Sequence, residues 1–358
     1  MIVFILPNFS GGGAERVVVN FIIGLHQKKV DVEIIVFNSN GPLVSEIPKG
    51  VTVHNLQTEN LRQSIFPLIA KLKSLNPRVI FSTFGYINIA VLSFRLFLPK
   101  NIVIWIREAN LPSISLPNNS FSLLMSMGYR WVYRTADKIL CTSQRMTDEF
   151  IRDFNLPVSK LQFLPNPVNE KRIQSAIVNI VIGHQNDNVN FVAMGRLTHQ
   201  KGFDRLLQWF AKIKNKDSVL RILGSGPLEA SLKDLSQKLH LSERVIFEGY
   251  CDNPWGKIAA SDVFLLSSRW EGMSNAALEA LTCGTPVIAT SNSGGIAELG
   301  GHVKEGTVIV TSTADEFIQE MDKVKPKNTQ YPKGSLLPPI YSMDHAVLIL
   351  QSWLNLYK

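Results

Sequence analysis

Residues 263–290 read VFLLSSRWEGMSNAALEALTCGTPVIAT, and this stretch decides the fold. A short apolar run at 263–267 predicts a strand, apolar positions at helical spacing predict a helix over 274–283, and a second apolar run at 286–289 predicts another strand. Ser274, or Asn275 in its place, is a typical N-cap residue for that helix. A strand, a helix and a second strand in this order are typical of a parallel βαβ unit.

The same alternation extends over nearly the whole chain. Strands are predicted at 2–7, 32–38, 51–56, 79–84, 102–107 and 138–143, then at 190–195, 220–223, 245–249, 263–267, 286–289 and 307–310. Helices are predicted at 14–26, 65–75, 86–97, 121–135 and 145–154, then at 203–214, 227–239, 254–260, 274–283 and 314–323. Strands that alternate with helices indicate parallel sheets covered on both faces.

The fold class is therefore α/β, with two Rossmann-like, doubly wound domains. We place the first domain at 1–170 and the second at 171–330, with the loose stretch 165–188 around their junction. Residues 331–358 are predicted to form a linker and a C-terminal helix that packs back on the first domain.

Size and composition exclude several classes of protein. The chain has 358 residues, is 45% hydrophobic and contains no low-complexity tract, so most of it is expected to fold. No apolar run approaches the roughly 18 residues that span a bilayer. Three widely spaced cysteines match no metal-binding spacing and indicate free thiols in a reducing cytoplasm.

The net charge of +8 is unevenly distributed, because residues 1–170 contain 17 Lys and Arg against 11 Asp and Glu. This basic excess can attract phosphates or an anionic membrane surface, or it can serve solubility alone. The basic residues form no stripe interleaved with aromatic residues, so nucleic acid is not expected as a partner.

Ligands of open α/β sheets bind beyond the carboxyl ends of the strands. After strand 2–7, the segment SGGGAER places Gly12 and Gly13 directly before a helix. Glycine permits close approach of the backbone to a ligand, and a helix N-terminus attracts anions. We predict an anion or substrate loop, with a flexible turn as the alternative. The segment matches neither the G-x-G-x-x-G nor the P-loop pattern.

Two further loops follow strands of the second half. Arg196 and Lys201 in GRLTHQKG are predicted to clamp a diphosphate, the arginine through its planar fork and the lysine as a point charge. The alternative is a solvated basic loop. Gly224 and Gly226 in GSGPL form either a tight turn or a wall for a nucleotide base, and Pro227 fits the first turn of the next helix.

Two glutamates lie eight positions apart in the opening stretch, Glu271 in the loop before the helix and Glu279 inside it. The N–H groups of Gly272, Met273 and Ser274 are predicted to bind phosphate at the helix start. Because carboxylates repel phosphate, the glutamates are predicted to accept hydrogen bonds from sugar hydroxyls on either side of it. The alternative is two exposed helix-end glutamates.

Together these motifs resemble those of a known family. EGMSNAALE resembles the E-x7-E signature of the retaining family-4 glycosyltransferases of the GT-B fold, GRLTHQKG their Arg/Lys phosphate clamp, and GGGAER their N-terminal glycine-rich loop. CTSQRM, LPNPV, GSGPL and CGTPVIAT are similar to further family segments in the usual order. The resemblance covers nearly the whole chain and is strongest at 190–300.

The resemblance implies two domains that face a cleft, with a nucleotide sugar on the second domain and the acceptor on the first. The donor is expected to be a UDP-sugar, with a GDP-sugar as the alternative. It implies that Glu279 binds the ribose hydroxyls and Glu271 the donor sugar. Arg196 and Lys201 would neutralise the leaving diphosphate, so Glu271, Arg196 and Lys201 are the catalytic candidates. The other donor-binding candidates are Gly12, Gly13, Gly224, Gly226, Gly272, Met273, Ser274 and Asn275. The implied activity is hexosyl transfer with retention, without a metal or other cofactor.

One segment departs from the family pattern. Many relatives carry a histidine after the strand that corresponds to 102–107, whereas WIREANL has Glu108, Ala109 and Asn110 there. Glu108 or Asn110, and Glu15 of the glycine-rich loop, are the candidates for contacting the acceptor or the donor sugar.

Residues 111–134 mix Phe, Leu, Met and Trp with Arg, which is typical of a peripheral membrane face or of core helices with basic rims. With the basic first half, this favours a glycan or polyprenyl-diphosphate-linked acceptor. The expected role is cell-surface polysaccharide or lipopolysaccharide synthesis in the cytoplasm, at the cytoplasmic face of the inner membrane. The alternatives are a nucleotide-sugar epimerase or hydrolase on the same scaffold, and a non-catalytic nucleotide- or glycan-binding subunit.

Overall fold

The computed structural model describes residues 1–117, 121–177, 188–301, 303–326 and 334–357. The chain divides into two compact units, one of Met1–Val168 with Ile340–Lys358 and one of Asn169–Pro339. The division lies two residues before the predicted one, and the C-terminal helix belongs to the first unit. Residues 178–187 of the predicted loose stretch lie outside the described residues, as do 327–330 at the end of the predicted second domain and 331–333 at the start of the predicted linker.

The first unit contains a seven-stranded parallel sheet of order β3-β2-β1-β4-β5-β6-β7. Its strands are β1 Ile2–Leu6, β2 Val32–Val36, β3 Thr52–Asn55, β4 Val79–Thr83, β5 Val103–Arg107, β6 Lys138–Cys141 and β7 Leu161–Phe163. The chain runs outward from β1 to β3 and then returns to β4 on the other side of β1. The strand order therefore reverses between β1 and β4, where doubly wound sheets bind their ligands.

Helices cover both faces of this sheet. They are α1 Gly13–Gln27, α2 Leu61–Leu75, α3 Gly85–Ser93, α4 Pro112–Ser115, α5 Ser122–Met127 and α6 Gln144–Phe154. Side chains of β1 alternate between the two faces: Phe4 packs in one core with α1, and Ile5 packs in the other with α2, α3 and α6. Because both faces are buried, β1 reads as an unbroken apolar run.

The second unit contains a six-stranded parallel sheet of order β10-β9-β8-β11-β12-β13. Its strands are β8 Asn190–Met194, β9 Val219–Leu223, β10 Val245–Gly249, β11 Val263–Leu266, β12 Val287–Thr290 and β13 Val308–Thr311. Its helices are α7 Glu170–Ile177, α8 Phe203–Lys212, α9 Glu229–Lys238, α10 Trp255–Ala259, α11 Asn275–Thr282, α12 Gly295–Gly300 and α13 Ala314–Lys323. Here the strand order reverses between β8 and β11. Two doubly wound parallel sheets confirm the predicted fold class.

The C-terminal helix α14, Met343–Asn355, packs against α1, as the sequence predicted. Val347 and Leu350 are buried in the core that α1 shares with the sheet. The two helices approach closely at Gly24, where an added Cβ would lie 2.4 Å from a methyl group of Val347. The last helix therefore completes one face of the first unit.

The helix predicted over 121–135 is present from Ser122 to Thr135, but it is not a single regular α-helix. Helix α5 ends at Met127 and is followed by a π turn at Gly128–Val132 and a 3-10 turn at Tyr133–Thr135. Gly128 lies against α3, where an added Cβ would come within 2.3 Å of Ile89. Glycine permits this approach, and Gly128 keeps right-handed helical backbone angles, so the chain stays helical where the α-helix changes to the π turn. The helix predicted over 86–97 likewise ends at Ser93, before a 3-10 turn at 95–97.

Four short elements were not predicted from the sequence: strand β7 and helices α4, α7 and α12. Strand β7 has only three residues, and helix α7 lies in the stretch 165–188 that was predicted to be loose. Only Ile173 and Ile177 of α7 are buried, which is too short an apolar stripe to reveal a helical period. Among the described residues, every helix is too short or too polar to cross a membrane.

Candidate functional site

Two loops of the second unit meet at the reversal of strand order. One follows β8 and contains Arg196 and Lys201, and the other follows β11 and contains Glu271; β8 and β11 are neighbouring strands. The Arg269 amide donates to the Gln200 carbonyl at 2.8 Å, and the Ser267 hydroxyl donates to the Lys201 carbonyl at 3.1 Å. The two loops are therefore hydrogen-bonded to each other where a ligand is expected.

Two arginines strengthen this connection. Arg205 of α8 donates to the carbonyl oxygens of Ser267 and Ser268, and burial lowers the pKa of its guanidinium to about 10. Arg269 forms a two-pronged pair with Asp204, with both nitrogen–oxygen distances at 2.7 Å. This pairing holds the pKa of the Asp204 carboxyl below its usual range. Such bidentate pairs fix geometry as well as adding energy.

Lys201 and Glu271 form an ion pair between the Lys201 Nζ and the Glu271 Oε1. The Glu271 side chain is buried, and its Oε1 also accepts a hydrogen bond from the Ser268 hydroxyl at 2.8 Å. The sequence predicts separate partners for these side chains, a diphosphate for Lys201 and a sugar for Glu271. An ammonium has three donors, so Lys201 can pair with Glu271 and still donate to a ligand.

Arg196 differs from Lys201 in its surroundings. Its side chain is exposed and makes no hydrogen bond or ion pair with the rest of the described chain. The backbone beside it is held in place, since the Leu197 amide donates to the Ser225 carbonyl at 3.0 Å. An arginine on a fixed backbone, with its five donors available, suits an incoming anion.

Gly224 and Gly226 pack tightly against the Arg196 loop. A Cβ added to Gly224 would lie 2.1 Å from the Gly195 carbonyl oxygen, and one added to Gly226 would lie 2.5 Å from that of Leu197. Loop packing therefore accounts for the G-x-G pattern by itself, and contact with a nucleotide base stays a prediction. Pro227 was predicted to lie in the first turn of the next helix. Helix α9 begins at Glu229, so Pro227 lies in the turn before the helix instead.

Helix α11 begins one residue later than predicted. Ser274 occupies the N-cap position, but its buried hydroxyl neither caps the helix nor finds another partner in the described chain. The first backbone amides of a helix have no acceptor within it. These amides are those of Asn275 and the two alanines after it, whereas Gly272 and Met273 lie in the preceding loop.

A pair of glycines that the sequence analysis passed over supports this loop. Gly294 has φ +59°, and a Cβ there would come within 2.3 Å of the Glu271 carbonyl oxygen. The Gly295 amide donates to the Gly272 carbonyl at 2.8 Å, and a Cβ on Gly295 would meet the Met273 side chain. The sequence signal that could have indicated this support is the pair Gly294–Gly295 in the loop after β12, the strand beside β11.

Glu279 is held by a residue that no motif indicated. The indole Nε1 of Trp255 donates to Glu279 Oε2 at 3.0 Å. Trp255 is the first residue of α10 and is buried, while Glu279 lies in the middle of α11 and is half-buried. The alternative that Glu271 and Glu279 are two exposed glutamates at a helix end is therefore wrong, because Glu271 is buried and Glu279 is half-buried.

The first-unit candidates lie at the carboxyl edge of the other sheet. Helix α1 begins at Gly13 with Gly12 as its N-cap residue. The buried Glu15 carboxylate folds back on this turn and accepts a hydrogen bond from the Ser10 hydroxyl at 2.8 Å. A Cβ on Gly12 would lie 2.4 Å from the Glu15 Oε2, so any larger residue at position 12 would displace the Glu15 carboxylate.

Glu108 directly follows β5 and is enclosed by protein. Its Oε1 accepts hydrogen bonds from the Asn88 amide at 3.0 Å and from the Tyr133 hydroxyl. Burial raises the pKa of the Glu108 carboxyl to about 7, although both hydrogen bonds and the neighbouring Arg107 oppose this rise. Only 4% of Glu108 is exposed, so the expected contact with a sugar has little surface to use. Asn110 is half-buried, and its contact with a sugar remains a prediction.

No three side chains of His, Cys, Asp or Glu are grouped closely enough to hold a metal ion in the described ranges. All three cysteines are free thiols.

Two family models match the chain and together cover most of it. Residues 11–172 match the model described as Glycosyltransferase Family 4, and residues 179–332 match the model described as Glycosyl transferases group 1. The first covers the glycine-rich loop and Glu108, and the second covers all the candidate residues of the second unit.

Two curated relatives are named for what they transfer. The chain is 29% identical, over 87% of its own length and 86% of the relative's, to N-acetylgalactosamine-N,N'-diacetylbacillosaminyl-diphospho-undecaprenol 4-alpha-N-acetylgalactosaminyltransferase of Campylobacter jejuni. It is also 29% identical, over 55% of its length and 54% of the relative's, to UDP-Gal:alpha-D-GlcNAc-diphosphoundecaprenol alpha-1,3-galactosyltransferase of Escherichia coli.

Solved structures share the fold at lower sequence identity. HepE of Anabaena, in complex with UDP and glucose, matches with a TM-score of 0.77 at 18% identity over 99% of both chains. The apo form of the lipopolysaccharide outer core galactosyltransferase WaaB matches with a TM-score of 0.69 at 19% identity over 98% of this chain and 99% of that one. The fold, the order of the motifs and both family models agree, and the chain belongs to the family-4, group 1 glycosyltransferases of the GT-B fold.

Proposed function

We propose that this protein is a retaining glycosyltransferase that moves a sugar from a UDP-sugar to a lipid-linked glycan. The observation that carries the proposal is the joined pair of loops at the β8–β11 reversal. It places the exposed Arg196, the Lys201–Glu271 pair and the start of α11 at one edge of a doubly wound sheet.

The leaving group needs the positive charge that these loops supply. When the sugar–phosphate bond breaks, negative charge grows on the nucleoside diphosphate. Arg196 and Lys201 would stabilise that charge together with the first amides of α11. Two cations can take the part that a divalent metal ion plays elsewhere, so we propose that no metal is needed.

The carboxylates would orient the two sugars of the donor. Glu271 would accept a hydrogen bond from the transferred sugar and Glu279 from the ribose hydroxyls. The leaving phosphate oxygen would take the proton of the attacking acceptor hydroxyl on the same face of the sugar, which retains the anomeric configuration. This route needs no protein base. Glu108, the first-unit carboxylate whose pKa is raised by burial, is enclosed between Asn88 and Tyr133, so it is poorly placed to act as one.

The proposed acceptor is a glycan linked to polyprenyl diphosphate. Both curated relatives are named for acceptors on a diphospho-undecaprenol carrier. An enzyme for such an acceptor must work at a membrane surface, and we place it at the cytoplasmic face of the inner membrane.

Exposed apolar side chains of the first unit support this location. Leu96 is 95% exposed and Phe97 62% in the turn after α3, while Leu123 is 76% exposed on α5 and Trp131 62% on the following turn. Arg130 on the same turn is also exposed. Apolar and basic side chains presented together are typical of peripheral membrane binding.

Release of nucleoside diphosphate tests the enzymatic part. The protein is incubated with a panel of UDP- and GDP-sugars, with and without EDTA, in the presence of an acceptor extract. We expect UDP release that EDTA leaves unchanged and that Glu279→Gln strongly reduces. Transfer of labelled sugar to the acceptor with a retained anomeric centre supports the transferase; release without transfer would indicate a hydrolase instead.

Vesicle flotation tests the membrane part. The wild-type protein should float with anionic vesicles at low salt, and replacing Leu96 and Phe97 by serine should reduce the floating fraction several-fold. Leu348→Ser on α14 is the matched control, since Leu348 is 54% exposed but lies on the helix that covers the opposite face of the sheet. Equal flotation of all three proteins would contradict this surface assignment.

A further inference from the structure

We infer that Trp255 is the positioning residue that aims the Glu279 carboxylate at the donor ribose, and that it thereby sets the discrimination between ribose and deoxyribose. This inference rests on the proposed function, which gives Glu279 the ribose hydroxyls. Trp255 itself would touch neither the reacting atoms nor the ribose.

The contact is specific in its geometry. The indole N–H is the single donor of tryptophan, and it points to one carboxylate oxygen of Glu279 at 3.0 Å. Only 7% of Trp255 is exposed, so the hydrogen bond lies largely out of water and is stronger than an exposed one. A carboxylate has about four acceptor positions, so the indole bond constrains its orientation while occupying only one of them.

The indole ring is itself held in place. The guanidinium of Arg172 lies over the Trp255 ring, 5.1 Å from its centroid, which is a cation–π contact. Arg172 belongs to α7, and its amide is capped by the Asn169 side chain at 3.1 Å. Stacking from one side and the hydrogen bond at its edge leave the indole little freedom to rotate.

A fixed carboxylate binds a diol better than a mobile one. The two ribose hydroxyls present donors at a set spacing, and a side chain that must first be ordered loses part of the binding energy in that step. Removing the indole N–H while keeping an aromatic ring should therefore weaken only the part of the affinity that comes from the ribose hydroxyls.

The experiment compares two ligands and four proteins by calorimetry. The ligands are UDP and 2′,3′-dideoxy-UDP, which lacks both hydroxyls; the proteins are the wild type, Trp255→Phe, Glu279→Gln and Trp209→Phe. Trp209→Phe is the matched control, because Arg205 stacks on Trp209 at 5.0 Å in the same unit while that ring packs against Phe317, away from Glu279.

We expect the wild type and Trp209→Phe to prefer UDP over the dideoxy ligand by about 10- to 100-fold, as hydrogen bonds to a charged group would give. Trp255→Phe should lose on the order of 10-fold in UDP affinity and nothing in dideoxy-UDP affinity, so its preference shrinks. If Trp255→Phe weakened both ligands equally, the preference for UDP would be unchanged and Trp255 would have a merely structural role. That result would overturn the inference, as would unchanged affinity for both ligands.

The Glu279→Gln variant separates this inference from the proposed function. If it loses the preference for UDP while Trp255→Phe keeps it, Glu279 binds the ribose and only the role of Trp255 fails. If Glu279→Gln keeps the full preference, or if the wild type binds no UDP, the proposed donor site fails and the inference fails with it.

Discussion

Arg196 and Lys201 lie five residues apart in one loop, yet their side chains have different surroundings. Arg196 is exposed, whereas Lys201 is paired with the buried Glu271 and its stem lies against Gly195. A buried carboxylate without its partner would be costly, so Lys201 stabilises the buried Glu271, and the proposed function gives it a bound phosphate to stabilise as well. Of the two side chains, that of Lys201 is therefore the one whose position is fixed by contacts within the protein.

Replacing Lys201 by alanine should reduce kcat by on the order of 100- to 1000-fold while changing the KM for the donor much less. The physical reason is that the ammonium acts on charge that develops only as the diphosphate leaves. Steady-state kinetics with the nucleotide sugar checks this, and thermal melting shows whether the variant is folded. Lys233→Ala is the control, since Lys233 is half-exposed on α9, where it pairs with Glu229 and lies over the Phe247 ring. An unchanged kcat in Lys201→Ala would remove Lys201 from the proposed chemistry.

Glu108 should make stability depend on pH. Its pKa is raised by burial to about 7, so the folded protein binds the proton more tightly than the unfolded chain does. The stability that this provides is complete below the unfolded pKa of about 4.3 and is lost as the pH rises through 7. The total change is roughly 4 kcal/mol, since one pKa unit corresponds to about 1.4 kcal/mol.

Urea denaturation of the wild type and Glu108→Gln between pH 4.5 and 8 measures this effect. Glutamine is neutral at every pH and keeps an oxygen that can accept from Asn88 and Tyr133. We expect the stability difference between the two proteins to shift by a few kcal/mol in favour of the variant as the pH rises. Parallel pH profiles would mean that Glu108 titrates normally.

At the scale of elements, glycines decide how closely the loops after the strands approach one another. Gly224 and Gly226 bring the β9 loop onto the β8 loop, and Gly294 brings the β12 loop onto the β11 loop. Each of them would place a Cβ within 2.5 Å of a backbone oxygen of the neighbouring loop. The edge of the second sheet is therefore assembled by contacts between backbones, which leaves side chains such as Arg196 to face a ligand.

Gly294→Ala should destabilise the protein and disturb the Glu271 loop. The added methyl would overlap the carbonyl oxygens of Glu271 and Gly272, and φ +59° is itself unfavourable for alanine. Gly306→Ala is the control, because Gly306 also has a positive φ but has open space around its Cβ position. We expect about 1 kcal/mol of loss in the control, a larger loss in Gly294→Ala, and weaker UDP binding only in Gly294→Ala. Equal losses would show that the contact adds nothing to the backbone strain.

The elements differ in how clearly the sequence predicts them, and burial explains why. The run IVFIL of β1 is buried on both faces and reads as a strand without context, whereas β7 has three residues that include the exposed Phe163. The two motifs around Lys201 and Glu271 were recognised, but their ion pair joins residues 70 positions apart. That pair depends on β8 lying beside β11, and the Trp255–Glu279 bond depends on how α10 lies against α11, which local periodicity does not contain.

At the scale of the whole molecule, the chain leaves the first unit once and returns to it. Residues 1–168 form the sheet of the first unit, residues 169–339 form the second unit, and α14 comes back to cover α1. The first unit is therefore completed only when the last helix of the chain is in place. Its core includes the buried α14 residues Met343, Ala346, Val347, Leu350 and Leu354.

Removing residues 340–358 should therefore weaken the first unit and spare the second. Full burial of a Val, Leu or Met side chain contributes about 1.5–3 kcal/mol, so the loss of α14 removes several kcal/mol from one core. Hydrogen exchange followed by mass spectrometry resolves the two units. We expect peptides of β1 and α1 to lose protection by orders of magnitude, while peptides of β8, β11 and α11 keep it.

Calorimetric titration of the truncated protein with UDP should give an affinity close to that of the full chain, because every proposed donor contact in the second unit is still present. A uniform loss of protection in both units would mean that they unfold together, and α14 would then stabilise the molecule as a whole.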